Sequence, residues 1–556
     1  MQEKCIKIEF FPSFEGIFSE NELSYLIFLQ KYGIIKNDVL NKAKRRVQME
    51  FSVYTVIAFV VYALVILGIG IYSFRKSKSV SDFFLGGRQL GSWTTAISAQ
   101  ASDMSGWLLM GLPGAIFASG LKESWVAIGL LIGTYLNWKI CATRLRKMSY
   151  AAGDAITIPE YFQKRFFNNS PVVRFICALI IFFFFLVYTA SAFSGGAKLF
   201  MFVFGIDNYV LSLAIGAIII ISYTFLGGFL AVCWTDVMQG LLMFAALVVI
   251  PIVIMVRTPD LGETINNAMN SGIVEKYYTS FLYNSDGTLA LTTIISGLAW
   301  GLGYFGMPHI LVRFMAIKSS DLIKKSRIIA TVWVVVTLAA AVLVGIFGMA
   351  FINSPGNEAL KTQFDSIGDV ERIFMFLSSS LLPALIAGIV LSAILAAIMS
   401  TADSQLLVTS SAVTNDMFKL FKKNASEKTL MWVSRITVIV VSIIAFLLAL
   451  DEKSTVMGLV SYAWAGLGAA FGPAMLLSLF WKKMTMPGAV AGIVAGGVSV
   501  VLWESIPALS GTGIYSLAPA FVIALTAVII TSLCTKVDKE KVDDLFARAK
   551  AAEIKK

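Results

Sequence analysis

The sequence predicts an all-α polytopic membrane protein of about 13 transmembrane helices, built around two inverted repeats of about five helices each. Three observations support this fold class. Of the 556 residues, 57% are hydrophobic and only 14% are charged, whereas an average soluble domain has about 25% charged residues. The apolar residues fall in runs long enough to cross a bilayer core as a helix. Basic residues are concentrated in alternate loops, as the positive-inside rule requires.

The cysteine, histidine and charge content narrows the chemistry. The five cysteines are far apart and odd in number, so neither a disulfide framework nor a zinc site is indicated. His309 is the only histidine, which excludes a multi-histidine metal site and argues against an enzyme with a Ser-His-Asp triad. The net charge of +11 is spread over many short loops, which is typical of membrane topology and not of a nucleic-acid binder.

Apolar runs predict thirteen spans, which are numbered in chain order. The predicted ranges are 51–73, 91–115, 124–141, 171–192, 208–233, 236–256, 289–315, 328–352, 380–414, 430–450, 455–480, 487–504 and 517–535. Loops after spans one, three, seven, nine and eleven are basic, and Arg313 is counted in the loop after span seven. Because the tail is also basic, the C-terminus is predicted in the cytoplasm and the N-terminus outside.

Residues 1–48 interrupt this charge pattern, because four basic residues at positions 42–46 precede span one on the predicted outer side. The segment also lacks the apolar region and cleavage site of a secretory signal. We interpret residues 1–48 as an N-terminal extension that is a start-site artefact: the segment is expected not to be translated, and translation is expected to begin at Met49. Residues 49–535 then form the transmembrane domain, with its core at about 91–480, and residues 536–556 form a charged cytoplasmic tail.

Two spans contain polar and small residues that a continuous apolar helix would avoid. Span two holds Asp103 among serines and Gly106, followed by Pro113, and span seven holds four glycines before Pro308. Both are predicted to be unwound, because backbone groups in the hydrocarbon layer must otherwise be paired. These spans open successive groups of five, and paired interrupted helices in such repeats point to a binding site at the midplane. Close helix packing at small residues is the alternative explanation.

Asp103 is the acid that most needs an explanation, because a carboxylate at the centre of a span costs about 3 kcal/mol. A sodium ion or a proton would offset that cost, and capping of a broken helix is the alternative. Span nine supplies hydroxyl groups that could serve as oxygen ligands. Ala397, Ser400 and Thr401 share one helix face, and Asp403 and Ser404 follow. An all-oxygen shell suits a hard alkali cation, although helix packing also explains a Ser/Thr face.

Aromatic residues in the broken span suggest a wall for a small apolar ring. Trp300 and Tyr304 are one turn apart in span seven, and Tyr188 in span four adds a ring with a polar tip. Core packing remains an alternative for Tyr188. His309 follows Pro308 and is more typical of a hydrogen-bond partner at a helix end than of a proton relay.

The segments that carry these residues resemble the sodium:solute symporter family. They are FLGGRQLG, SAQASDMSGWLLMGLPGA, ESWVAIGL, GGFLAVCWTD, AWGLGYFGMPHIL, LSAILAAIMST and GLVSYAWAGLGAAFGP. The resemblance runs from about Met49 to beyond Trp503 and is greatest to the proline carriers of the family. It implies a five-helix inverted-repeat fold and sodium-coupled uptake of L-proline across the bacterial inner membrane by alternating access.

The resemblance also implies roles for individual residues. Sodium would be held by Ala101, Met104, Ala397, Ser400 and Thr401, with Asp103 in support. The substrate would be held by Ser105, Gly106, Tyr188, Trp300, Tyr304 and Pro308. Arg88 would contribute to coupling, and Asp236, Asp403 and Ser404 would form a candidate second cation or proton site. Asp403 departs from the proline-carrier pattern, which has a small neutral residue there.

Other readings of the same residues stay open. The substrate could be another amino acid or a small carboxylate such as pantothenate, and protons could replace sodium as the coupling ion. A membrane sensor would need a signalling module, and a membrane enzyme would need a nucleophile and base, neither of which is apparent. The expected partners are therefore L-proline, the co-transported Na⁺ ion and the lipid bilayer, with no nucleic acid and no obligatory protein partner.

Overall fold

The computed structural model describes residues 37–74, 84–167, 170–224, 228–422 and 424–552. Within these ranges the chain is helical apart from its connections, and its only β-type pairing consists of two isolated bridges. The all-α prediction is confirmed. Residues 1–36 lie outside the described residues, and the predicted boundary at residue 48 falls inside a continuous helix.

Each of the thirteen predicted spans corresponds to helical segments in the described chain. Spans one to seven are Asn37–Phe74; Ser92–Asp103 with Trp107–Gly111 and Leu112–Ser119; Ser124–Leu136 with Asn137–Ala142 and Thr143–Ala151; Val172–Phe204; Tyr209–Thr224; Phe229–Arg257; and Leu291–Ala299 with Trp300–Phe305 and Pro308–Ala316. Spans eight to thirteen are Leu322–Ile352; Ala384–Ser411 with Ala412–Phe418 and Lys419–Phe421; Glu427–Leu448; Val456–Phe480; Met486–Ser505; and Leu517–Leu533.

Short helices lie in the connections and in the tail. They are Gly86–Arg88, Leu121–Glu123, Ile158–Arg165, Leu261–Asn270, Glu358–Ile367, Val370–Arg372, Ile373–Leu381, Pro507–Ser510 and Lys539–Ala551. In the described residues, nine helices are long and apolar enough to cross a membrane, and the bent span seven makes a tenth. Spans two, five and thirteen contain shorter apolar helices. The structure therefore supports between ten and thirteen crossings.

Several predicted boundaries differ from the structure, and two of the differences have a clear physical reason. Span five ends at Thr224, and residues 229–233 belong to span six, because Gly228 is extended and starts a new helix within one apolar run. Span four continues from residue 192 to Phe204 although it contains Lys198. The helix tolerates this charge because the ammonium group is buried against Glu371, 2.6 Å from its carboxylate.

Spans two to six and spans seven to eleven form two sets of five with matching contacts, and each set packs against the other. This pattern confirms the inverted repeat. Span two packs against span six, as span seven packs against span eleven. Span four of the first set contacts span eleven, and span nine of the second set contacts span six. Spans two and seven also meet each other, as do spans four and nine. This is the contact pattern of two repeats related by a pseudo-two-fold axis, and in it the two broken helices contact each other.

Both spans that were predicted to be unwound are broken. In span two, Met104 leaves the helical region with φ −86° and ψ 83°, and a π-helical turn starts at Trp107. In span seven, the segment Trp300–Phe305 is a 3₁₀ helix, and the span bends by 43° before Pro308. Pro308 stands in the first turn of the next helix, where the missing N–H removes no intrahelical hydrogen bond.

The glycines of span seven also allow close helix packing. A Cβ atom on Gly297 would lie 2.5 Å from the Cβ atom of Trp125, and one on Gly301 would overlap the carbonyl oxygen of Gly129. A Cβ atom on Gly306 would lie 2.5 Å from the carbonyl oxygen of Leu467. Unwinding and close packing are therefore properties of the same glycines, and the two explanations do not exclude each other.

Candidate functional site

The residues predicted to hold sodium meet where span two is broken. In a continuous helix the carbonyl of Ala101 would accept a hydrogen bond from the N–H of Ser105. That N–H instead donates to the carbonyl of Asp103 at 3.1 Å. The hydroxyl of Ser400 in span nine donates to the carbonyl oxygens of Ala101 at 2.8 Å and Ala397 at 3.1 Å. The break therefore presents a carbonyl oxygen to the Ser/Thr face of span nine.

The chemistry of this cluster fits an alkali cation. Its oxygen atoms come from carbonyls and hydroxyls, which are the hard ligands that such ions prefer. Ala101, Met104 and Ala397 are buried, and the hydroxyl oxygen of Thr401 is buried without a hydrogen-bond partner. Among the described residues, no group of three or more His, Cys, Asp or Glu side chains is placed to hold a metal ion. A cluster of carbonyl and hydroxyl oxygens is a donor set that fits an alkali ion.

Asp103 connects this cluster to the predicted substrate residues. Its carboxylate is buried, and its Oδ2 atom accepts a hydrogen bond from the Tyr304 hydroxyl at 2.5 Å. Its carbonyl oxygen accepts hydrogen bonds from Trp107 Nε1 at 3.2 Å and the Tyr188 hydroxyl at 3.3 Å. One residue at the break in span two therefore contacts span seven and span four.

The aromatic side chains form a continuous wall beside the break. The ring of Trp300 stacks on Tyr515 at 5.0 Å and lies 6.3 Å from both Trp107 and Trp464. Tyr304 meets Trp464 edge to face at 5.1 Å. Trp464 and Tyr515 were not predicted, because both lie far along the sequence from the broken spans. Their contribution is visible only in the folded chain.

Unpartnered polar atoms converge on the same region. The atoms that lack a hydrogen-bond partner include Asp103 Oδ1, the hydroxyl oxygen of Ser105 and both polar side-chain atoms of Gln100. Buried polar groups normally have partners, and a bound ion or ligand is one explanation for groups that do not. Gln100 was not predicted, although its polarity in span two was a visible signal.

A buried acid, Glu371, joins the ends of several spans on the side away from the basic loops. The carboxylate of Glu371 accepts hydrogen bonds at 3.0 Å from the N–H groups of Val456 and Met457, which start span eleven. It also pairs with Lys198 of span four. The connection between spans eight and nine therefore ties spans four and eleven together on the side away from the basic loops.

Two predicted residues have surroundings that differ from the rest of the site. Pro308 lines a small pocket on the side of the basic loops, together with Phe229, Val312 and Asp416. Arg88 lies outside the spans, donates to the carbonyls of Met315 and Ala155 and pairs with Asp154 at 2.7 Å. Burial lowers the pKa of the Arg88 guanidinium, an effect that Asp154 opposes.

His309 does not make the hydrogen bond predicted for a residue at a helix end. Both ring nitrogens are buried and lack a hydrogen-bond partner. The ring packs 5.6 Å from Phe185 and 6.4 Å from Tyr188. The His309 ring therefore packs against aromatic rings and does not make the hydrogen bond that was expected at the helix end.

The candidate second cation site contains a side chain that was not predicted there. Arg313 was counted in a basic loop, but it is buried inside the second helix of span seven. Its guanidinium contacts Asp236 at 2.9 Å and Ser404 at 2.6 Å, two of the three residues predicted for the site. Arg313 lies inside the predicted range 289–315, but it was counted with the basic loop that follows because it is close to the end of the span.

Comparison with known proteins yields a family and a fold. Residues 83–496 match the model of the sodium:solute symporter family. The chain is 44% identical to the osmoregulated proline transporter of Bacillus subtilis over 87% of this chain and 96% of that protein. It is 44% identical to the sodium/proline symporter of Escherichia coli over 90% of this chain and 97% of that protein.

One solved structure resembles the whole fold. It is a substrate-bound, outward-open Na⁺-coupled sialic acid symporter, which superposes with a TM-score of 0.70. The match covers 87% of this chain and 98% of that chain at 21% sequence identity. At this identity the likeness supports the arrangement of helices alone.

Proposed function

Since the chain belongs to the sodium:solute symporter family, we propose that it is a secondary active carrier that moves L-proline together with sodium. The relatives that cover 87% to 90% of this chain at 44% identity are proline transporters. In this function the protein is not an enzyme, and sodium is a co-transported substrate rather than a cofactor. Alternating access between two faces of a central site is the mode of action that the inverted repeat supports.

The observation that carries the proposal is the hydrogen bond between Tyr304 and Asp103. Sodium held by the oxygens of Ala101, Ser400 and Thr401 would fix the break in span two. Fixing the break positions Asp103, whose carboxylate holds Tyr304 of the aromatic wall. Sodium binding thereby organises the substrate site before proline arrives. Reciprocity requires bound proline to raise the affinity for sodium by the same factor.

The substrate fits the chemistry of the same region. An N-terminal helix turn favours a carboxylate, because its N–H groups and dipole face the negative charge. The turn that starts at Trp107, beside Ser105 and Gly106, supplies such a position for the carboxylate of proline. The pyrrolidine ring would pack on Trp300 and Tyr304, which are buried aromatic surfaces.

The basic loops orient the protein in this proposal. They place the connections after the odd-numbered spans and the tail helix Lys539–Ala551 in the cytoplasm, with the N-terminus outside. The tail helix packs on Thr143–Ala151 at the same side, where Arg548 donates to the carbonyl of Ala151. The membrane would be the bacterial inner membrane. This topology puts the pocket beside Pro308 on the path toward the cytoplasm.

Binding of radiolabelled proline to the purified protein tests the substrate assignment. We expect binding in sodium chloride but not in choline chloride, with displacement by unlabelled proline and no displacement by pantothenate. The reason is that only sodium completes the oxygen cluster beside Asp103. No displaceable binding of proline in sodium chloride, together with sodium-dependent binding of another radiolabelled carboxylate, would overturn the substrate assignment while leaving the fold intact.

The substitution Tyr304→Phe should weaken sodium binding while leaving the aromatic wall in place. A hydrogen bond to a charged group contributes about 1.5–3 kcal/mol, so the sodium concentration for half-maximal uptake should rise roughly tenfold to a hundredfold. The initial rate of uptake at varied sodium measures this effect. Tyr515→Phe is the matched control, because its hydroxyl donates to the main-chain carbonyl of Ser461 at 2.7 Å. Equal sodium dependence in both variants would contradict the proposed link.

A further inference from the structure

A second shell of oxygen atoms surrounds the guanidinium group of Arg313. It lies one helical turn from the residues that are proposed to hold sodium. Arg313 donates hydrogen bonds through all three of its nitrogens. The acceptors are Ser98 Oγ at 2.7 Å, the carbonyl of His309 at 2.5 Å, Asp236 Oδ2 at 2.9 Å and Ser404 Oγ at 2.6 Å. The shell joins spans two, six, seven and nine of the core.

The shell is closed to water and lipid. Arg313 is 1% exposed and Asp236 is 0% exposed. Ser98 and Ser404 are buried as well. A buried charge is costly unless it is paired and its hydrogen bonds are satisfied. Arg313 meets both conditions, so the structure keeps a permanent positive charge in the centre of the core.

The acceptors around Arg313 have the composition of a cation site. They are a carboxylate, two hydroxyls and a main-chain carbonyl, the hard oxygen ligands that an alkali ion would take. The shell also adjoins the proposed sodium site, because Ser98 precedes Ala101 by three residues and Ser404 follows Ser400 by four. Residues three and four apart share a helix face. Spans two and nine therefore contribute to both shells, one turn apart.

Asp403 does not belong to this shell by its place on the helix. It directly precedes Ser404, so its side chain points about 100° away around the helix axis. The phenol of Tyr62 in span one lies near enough to interact electrostatically with both Asp403 and Asp236. The three residues predicted for a second cation site thus point in two directions, and only Asp236 and Ser404 contact the guanidinium.

We propose that Arg313 is a tethered cation that occupies a second ion position, so that the carrier binds a single mobile sodium ion per transported solute. The proposal rests on the proposed sodium-coupled transport. The guanidinium neutralises Asp236 in place of an ion but stays attached to span seven throughout the cycle. It contributes no charge to the transported load. A sodium ion enters this shell only when the guanidinium is removed.

The experiment counts sodium ions with and without the guanidinium. Purified wild-type protein and the variant Arg313→Gln are titrated with sodium, with thermal stability as the readout, and charge movement per proline is measured in proteoliposomes. Wild type should show one sodium site, with a Hill coefficient of about 1, and one charge per proline. Arg313→Gln should show a second sodium site, because the buried carboxylate of Asp236 then needs a cation.

Two further variants make the outcome specific. Asp236→Asn combined with Arg313→Gln removes the carboxylate as well, so the second sodium site should disappear. Arg146→Gln is the matched control, because Arg146 is also buried but donates through Nε to the main-chain carbonyl of Ile317 at 2.7 Å. This variant should bind the same number of sodium ions as wild type.

The two proposals fail in distinguishable ways. Two charges per proline in wild type, or a single sodium site in folded Arg313→Gln protein, would overturn the tethered cation. If Arg313→Gln protein does not fold, the wild-type charge count decides. The stability titration contains no proline, so it tests the ion count even if the solute is a different one. Sodium-independent proline transport would instead overturn the proposed function.

Discussion

Asp103→Asn is expected to lower sodium-driven proline uptake about a hundredfold or more, because two contributions are lost together. The amide keeps the shape of the side chain but weakens the hydrogen bond from Tyr304, which is worth about 1.5–3 kcal/mol with a charged acceptor. It also removes the negative charge nearest in sequence to the carbonyls that would hold sodium. The initial rate of uptake over a range of sodium concentrations measures the loss.

The defect of Asp103→Asn should appear in the sodium concentration for half-maximal uptake before it appears in the KM for proline. Asp416→Asn is a suitable control, because Asp416 is a buried carboxylate of span nine that pairs with Arg174 at 2.8 Å. It should change expression or rate without shifting the sodium dependence. A wild-type sodium dependence in Asp103→Asn would show that the carboxylate has no part in ion binding.

The double substitution Ser400→Ala with Thr401→Ala should abolish sodium binding in the accessible concentration range. Each hydroxyl is one ligand of the oxygen cluster, and we expect each single substitution to raise the half-maximal sodium concentration roughly tenfold. Thr401 should affect the ion alone, because its oxygen has no hydrogen-bond partner among the described residues. Ser400 should in addition loosen the contact with Ala101. Sodium-dependent proline binding measures both effects.

Ser410→Ala controls for the loss of a hydroxyl from the same helix. Ser410 is buried in span nine, but its hydroxyl donates to the carbonyl of Leu407 within its own helix at 2.9 Å. Its removal should leave sodium affinity unchanged. If Ser400→Ala, Thr401→Ala and the double variant all bind sodium like wild type, the ion lies elsewhere in the core.

Much of the fold was predictable because the bilayer imposes simple rules on sequence. Apolar length predicted helices in all thirteen ranges, of which ten to thirteen are crossings, and the clusters of glycine and proline identified the two broken spans. The Ser/Thr face of span nine was also a local pattern, and the structure brings Ser400 to the carbonyl of Ala101. Each of these sequence patterns consists of residues within a few turns of one another, although the contact between Ser400 and Ala101 joins distant segments.

The remaining features depend on contacts between distant segments. Arg313 meets Asp236 from 77 positions away, and nothing near either residue indicates that the two side chains turn inward together. Trp464 donates to the carbonyl of Trp300 from 164 positions away and completes the aromatic wall. The boundary between spans five and six was missed for a local reason, because Gly228 interrupts the helix without interrupting the apolar run.

Uptake of radiolabelled proline into proteoliposomes tests the central claim most directly, with an imposed sodium gradient, a proton gradient or neither. With about 100 mV, inside negative, and a tenfold sodium gradient, one ion supplies about 3.7 kcal/mol, which permits roughly 500-fold accumulation. The account predicts accumulation under the sodium gradient alone, abolished by excess unlabelled proline. Accumulation driven by protons, or no accumulation of proline under sodium, would contradict it.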